Sequence, residues 1–391
     1  MTAPKLRFKE FKNDWLKTNL GEVVKFSNGK RVPLSESERQ KRQGAYRYYG
    51  ASGVIDYVDD YLFDGEYILI GEDGANIITR SSTLAFVVTG KFWVNNHAHI
   101  FQSKEGNNIF LATYLESLNF EKFNSGTAQP KLNLENLKKV PVANPTKEEQ
   151  TKIATFLSAV DEKISQLSQK LQLLGQYKQG MMHKLFSQQI RFKADDGSEF
   201  EEWEERKLSE ISQKAMYGMN AAATEYDGIN KYLRITDICE FSNSFKMDNL
   251  TSPNAELDDK YKLQLGDLLF ARTGASVGKS YLYKENDGIT YFAGFLIKFS
   301  LNTNLVIPYF IFLQTLTKGF SQWVVTNSMR SGQPGINAEE YSSYIFKVPC
   351  LAEQTKIANF LSSIDQKIDV VSEQLEQAKL WKKGLLQQMF V

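Results

Sequence analysis

Between residues 146 and 186 the chain reads TKEEQTKIATFLSAVDEKISQLSQKLQLLGQYKQGMMHKLF, and this stretch constrains everything else. Apolar residues fall at Ile153, Leu157, Val160, Ile164, Leu167, Leu171, Leu174, Met181 and Leu185. The steps alternate four and three, which is the a/d seam of a heptad helix. Thr146 followed by Glu149 has the spacing of a capping box, and Pro145 just before it favours an extended approach. At about 1.5 Å per residue the helix would be roughly 60 Å long. A rod of that length with one narrow apolar stripe is not stable alone. It demands a partner helix.

The same chain supplies one. Ile357 follows Ile153 by 204 residues, and that offset holds without a gap to Phe390 over Phe186. The seam recurs as Ile357, Leu361, Ile364, Ile368, Val371, Leu375, Ala378, Leu385 and Met389. Both copies interrupt it at one a position with a lysine, Lys178 and Lys382. Alone, each lysine is a solvated charge near a helix end; recurring in both copies, a register-fixing role weighs equally. The chain is a tandem duplication, and each copy ends in a long helix.

A length of 391 residues leaves room for two bodies with their own cores. No apolar run is long enough to span a bilayer, and MTAPKLRFKEF is too polar for a signal peptide. Two cysteines, Cys239 and Cys350, with no CxxC, argue against a disulfide framework or zinc cluster and suit a reducing cytoplasm. A net charge of +1 names no partner, so any basic surface must arise from local clustering.

Taken in order, Arg7-Phe8-Lys9 recurs as Arg191-Phe192-Lys193, and Trp15 with Leu20 recurs as Trp203 with Leu208. The polar run at 187–200, with DDGSE, marks a linker. These landmarks divide the chain into a first body, 1–145, a first helix, 146–190, a second body, 191–350, and a second helix, 351–391. The bodies read as mixed α/β. YILIG and LAFVVTGKFWV are strand-like in the first, KYLRITDI, DLLFAR and GFLIKF in the second, with a shorter helix expected near 108–122 and 306–323. They correspond more weakly than the helices do: GEYILIGEDGA resembles GDLLFARTGA, and Gln129-Pro130 lies over Gln333-Pro334. The fold class expected is α+β, two globular bodies joined by two long antiparallel heptad helices.

Catalytic motifs are sparse. TGASVGKS, residues 273–280, resembles a phosphate loop, but only three residues separate Gly274 from Gly278 where the motif needs four. The YLYKEND that follows is strand and turn where a helix should open, so a glycine-rich hairpin displaying Arg272, Thr273 and Lys279 is expected instead. VNNHAHIF alternates like a strand, placing His97 and His99 on one face with no carboxylate or cysteine beside them in sequence; a structural pair is favoured over a metal site. GxSxG, HExxH and GxGxxG are absent, as is any Pro-Pro that an amino-methyltransferase would use to hold its target amine. The chain is expected to be no enzyme.

Binding remains, and basic residues interleaved with aromatics point to nucleic acid. ERQKRQGAYRYYGASG sets Arg39, Lys41, Arg42 and Arg47 around Tyr46, Tyr48 and Tyr49, with Lys30 and Arg31 upstream and Arg80 and Lys131 further on. The second body places Arg234, Arg272, Thr273, Lys279 and Arg330 in or beside glycine turns. Arginine and lysine suit phosphates or guanine, while Asn76, Gln129 and Gln333 suit adenine. Each residue singly is best explained as a solvated surface charge. The DNA reading rests on clusters in corresponding places of two copies.

With these residues in view, the chain resembles the specificity subunit of type I restriction–modification systems. The resemblance lies in YYGASGVIDYVDDYLFDGEYILIGEDGAN, SGTAQPKLNLENLKKVPV, KYLRITDI, LLFARTGASVGK and the paired EQTKIATFLSAVDEKI and EQTKIANFLSSIDQKI. It implies two target-recognition domains, each reading half of a bipartite double-stranded DNA site. It also implies two antiparallel helices that separate them and dock two methyltransferase subunits. S-adenosylmethionine, ATP and Mg would belong to those subunits and to restriction–translocase subunits, with no cofactor or metal in this chain, in the cytoplasm and away from any membrane. The family has no catalytic residue in this subunit to carry over. A free-standing methyltransferase and a coiled-coil scaffold without a DNA role are the alternatives.

Overall fold

The computed structural model describes residues 4–126, 129–240 and 242–390, in two compact units. The first comprises residues 1–169 and 372–391, the second 170–371. The two long helices, Lys147–Phe186 and Leu351–Met389, each contribute to both units. Within each unit the beginning of one helix packs against the end of the other, so the pair is antiparallel.

In the first unit Ile153, Leu157 and Val160 share a core with Leu385, Met389 and Phe390. In the second, Ile357, Leu361 and Ile364 share one with Met182 and Leu185. Ile164 and Ile368 are partly buried against these cores, and Leu171 and Leu174 are half-buried. Leu167, Val371 and Leu375 are buried. The lysines of the seam resolve in the same way in both copies. Lys178 Nζ lies 2.6 Å from Asp365, and Lys382 Nζ lies 2.5 Å from Asp161, each on the opposite helix. Since Asp365 follows Asp161 by the repeat offset, the two ion pairs are one contact made twice.

Each helix begins on a polar lock. Glu149, 1% exposed, accepts from Arg7 Nε and Nη2 at 2.6 and 2.7 Å and from Trp15 Nε1 at 3.1 Å. Glu353, 0% exposed, accepts from Arg191 Nε and Nη2 at 3.1 and 2.8 Å and from Trp203 Nε1 at 3.1 Å. This corrects the capping box expected at Thr146: Glu149 N–H donates to the Thr146 hydroxyl at 3.4 Å, but the Glu149 carboxylate serves Arg7 and Trp15. The next residue ties the helix to its body. Gln150 Oε1 accepts from Asn107 N–H, and Gln354 Oε1 from Ile307 N–H, at the N-termini of the short helices Asn108–Ser117 and Pro308–Gln314.

Both units contain a four-stranded antiparallel sheet with the same order. In the first, Val24–Phe26, Ala98–Ser103, Tyr67–Gly71 and Ala85–Val88 are neighbours in that sequence. In the second, Met216–Tyr217, Leu296–Ser300, Asp267–Ala271 and Ser280–Leu282 are. Leucine, isoleucine and phenylalanine fill both central strands, Ile68 to Ile70 and Leu268 to Phe270, all fully buried. The outer sheets differ. The first unit adds a second four-stranded sheet built on Gln43–Gly50 and Lys91–Val94, paired in parallel; the second unit adds the parallel pair Lys231–Leu233 with Thr290–Phe292.

Three local expectations change. LAFVVTGKFWV splits at Gly90 (φ 81°), and its two strands belong to different sheets. KYLRITDI is a strand only to Leu233, because Asp237 takes both the amide and the guanidinium of Arg234 and closes a tight 3-10 turn. The helix expected near 306–323 breaks after Gln314, where Thr317 caps a second helix, Lys318–Ser328.

Candidate nucleic-acid interface

After the central strand of each body the chain turns outward and is held by the same three contacts. In the first, Gly74 N–H donates to Pro130 O at 3.0 Å, Leu132 N–H to Glu72 O at 2.7 Å, and Asp73 bridges Lys131. In the second, Gly274 N–H donates to Pro334 O at 2.9 Å, Ile336 N–H to Arg272 O at 2.9 Å, and Thr273 bridges Gly335. The turn thus brings Gln129 and Lys131 beside residues 72–76, and Gln333 beside residues 272–274. Gly274 has φ 73°, and a Cβ there would lie 2.8 Å from the Gln333 amide, so glycine suits both the backbone and the close approach.

The side chains at these turns differ in charge. In the first body Glu72 accepts from Arg31 Nη1 at 2.8 Å and lies 3.7 Å from Lys131 Nζ. Arg31 also donates to the carbonyl of Ala98 at 2.6 Å. His99 is buried at 1% exposure; its Nε2–H donates to Leu132 O at 2.6 Å, and its Nδ1 accepts from Asn28 at 2.8 Å. Burial above all holds its pKa below the ordinary value, so the ring is neutral and structural. His97, by contrast, sits in a turn, exposed, with Nδ1 2.9 Å from Asp73. The expectation that the two histidines share a strand face without carboxylates is therefore corrected: folding brings Asp73 and Glu72 to them. Among the described residues no cluster of three histidine, cysteine or acidic side chains could hold a metal.

Other candidates divide by what already occupies them. Arg42 pairs with Asp59 at 2.9 Å and lies over the Trp93 ring. Arg80, at φ 51°, pairs with Glu116 at 3.0 Å, which also caps the amides of Leu84 and Ala85. Asn76 accepts from Ser82 N–H at 2.8 Å, which orders the loop. Lys30 and Gln129 are exposed. In the second body Arg234 makes a bidentate pair with Asp237, 2.8 Å on both arms, and that carboxylate raises its pKa. Lys279 is drawn to Ile238 O at 3.4 Å and to Glu240, and Arg330 pairs with Glu340. Tyr49 is the clear correction. It is 4% exposed and packs edge-on against Phe92, so its ring faces the core and no base can stack on it.

Tyr57 does reach the surface, half exposed on Gly53–Val58 and directly opposite Arg47 in the sheet. Alternation in GVIDYV was the available signal, since Ile55 and Tyr57 share a face. Tyr217 and exposed Phe295, beside Arg272, had no such signal, because only pairing between distant strands brings them there.

A family model described as the type I restriction modification DNA specificity domain matches residues 12–175 and again 200–380. A putative type I restriction enzyme specificity subunit of Haemophilus influenzae is 39% identical over 142 residues, 36% of this chain and 36% of its own length. A type I restriction enzyme specificity subunit of Methanocaldococcus jannaschii is 22% identical across 95% of this chain and 91% of its own. The crystal structure of a type I restriction–modification S subunit from M. genitalium has the same fold. Its TM-score is 0.64 at 18% identity, covering 100% of this chain and 99% of that one.

Proposed function

The chain belongs to the type I restriction–modification DNA specificity family, and on that premise we propose that its two bodies read the two halves of one bipartite DNA site. The observation that carries this is the contrast between scaffold and surface. The seam, the Glu149 and Glu353 locks, the central sheets and the backbone of the turns repeat, whereas the side chains displayed at 72–76 and 272–276, EDGAN and RTGAS, do not. A scaffold kept constant while its displayed residues differ is what reading two unlike half-sites requires. Two such modules on one chain also gain effective concentration from each other.

The chemistry of modification lies elsewhere in this proposal. Methyltransferase subunits, two of them by the repeat of the helices, dock on the paired helices and bring S-adenosylmethionine. Restriction–translocase subunits bring ATP and Mg. Because adenine within a duplex must be flipped out to be methylated, the role of this chain is to hold the DNA in register beside those enzymes. Among the described residues no helix is long and apolar enough to cross a membrane, and the proposed setting is the cytoplasm.

The test is to mix the purified chain with DNA and S-adenosylmethionine, with and without its cognate methyltransferase. Adenine methylation is expected only with the methyltransferase present. Methyl transfer by the chain alone, free of contaminating enzyme, would overturn the proposal.

A further inference from the structure

The chain contains eleven arginines. Nine of them pair with an aspartate or glutamate. The other two, Arg47 and Arg272, have no carboxylate partner among the described residues, and they fall one in each body. Arg272 lies against a tyrosine ring instead, and Arg47 against a backbone carbonyl. The Arg272 guanidinium stands over the Tyr217 ring, 5.1 Å from its centroid, and the Tyr217 hydroxyl is itself held by Ala338 N–H at 3.1 Å. The Arg272 backbone is tied on both sides, to Phe295 O at 3.0 Å and from Ile336 N–H at 2.9 Å. Its Nε is buried and has no hydrogen-bond partner, so packing rather than an internal acceptor sets its position. Arg47 is exposed in the middle of its strand, opposite Tyr57, and its Nη2 makes a long hydrogen bond of 3.4 Å to the Thr89 carbonyl.

An arginine closed onto a carboxylate has its charge compensated and its fork of donors filled. One without a carboxylate keeps donors of its fork available, and stacking on an aromatic, as Arg272 does, also reduces the rotamer freedom lost on binding. The open fork matches the O6 and N7 acceptors that guanine alone presents together in the major groove. A lysine cannot reproduce that bidentate geometry.

We propose that Arg47 and Arg272 are the guanine-reading residues of the two bodies, so that each half-site contains a required G·C pair. The proposal rests on the two-body reading of DNA given above. It also assigns Tyr217 as the positioning residue that holds the Arg272 fork.

The experiment uses the full chain expressed with its methyltransferase, and maps methylated adenines across a host genome. The wild-type motif is expected to contain a G·C pair in each half. Arg272→Ala should relax that position in one half only, its preference falling roughly 5- to 150-fold, and Arg47→Ala should do so in the other half only. Arg272→Lys and Arg47→Lys should keep methylation while losing the same preference. They decide the matter if an alanine variant proves unfolded by thermal melting. Arg206→Ala, which removes an exposed arginine paired to Glu204, should leave the motif unchanged. A wild-type motif lacking G·C in either half overturns the proposal. So do arginine variants that methylate less everywhere with an unaltered motif, which is the signature of a phosphate contact. A wild-type map with no bipartite motif would instead sink the two-body reading itself.

Discussion

Glu149 and Glu353 are buried, and each pairs with an arginine far along the chain, Arg7 at 142 residues and Arg191 at 162. Removing one partner of such a pair leaves an uncompensated buried charge, whereas removing both leaves none. Arg7→Ala is therefore expected to destabilise the first unit by about 3 kcal/mol, read from urea unfolding. The double variant Arg7→Met with Glu149→Met should recover much of that; a double variant as unstable as Arg7→Ala would refute this account of the lock. His99 makes a second test at this scale. Its pKa in the fold is lowered from 6.5, so the unfolded chain takes up the proton first as pH falls. Its contribution to stability is complete above pH 6.5 and is lost progressively below it. Nuclear magnetic resonance titration of the imidazole should give a midpoint below 6.5, and a midpoint at or above it would contradict the neutral, Leu132-bonded ring.

The long helices depend on one another, since neither stripe is wide enough to bury itself. Their register is fixed twice by the same contact, Lys178 with Asp365 and Lys382 with Asp161. Both pairs are partly solvated, so each is worth little in stability, about 0.5–1 kcal/mol, while specifying alignment. Lys382→Asp should cost somewhat more than that through repulsion, and adding Asp161→Lys should restore it. A double-mutant cycle on unfolding free energy measures the coupling; a coupling of zero would return both lysines to solvated charges.

For the whole chain, the repeat predicts modular reading. Replacing residues 16–140 with the matching segment of another family member should change one half of the methylated motif and leave the other intact. A map altered in both halves would show that the bodies do not read independently. Helix length is the second variable at this scale. Four residues inserted after Leu167 add about 6 Å and slightly more than a turn. The seam suffers only a stutter, which a coiled coil absorbs by local unwinding. With about 3.4 Å per base pair, the unread spacer between half-sites should grow by one or two pairs. An active variant with an unchanged spacer would show that the helices do not measure the DNA.

The duplication, the two long helices, the seam and the shared central strands were legible in sequence, because each rests on periodicity or on a constant offset between copies. Trp15 and Trp203, or Arg7 and Arg191, could be matched as landmarks but not assigned a partner, since Glu149 and Glu353 lie far along the chain. The candidate interface was legible only as a list of basic residues in glycine turns. Tyr49 and Tyr57 look alike in sequence, yet strand pairing buries one and exposes the other. Arginine is equally charged at every position, and only the tertiary structure decides which carboxylates come within reach. It neutralised nine of eleven and left Arg47 and Arg272 open, because contacts between distant strands and turns, unlike periodicity, leave no local trace in the chain.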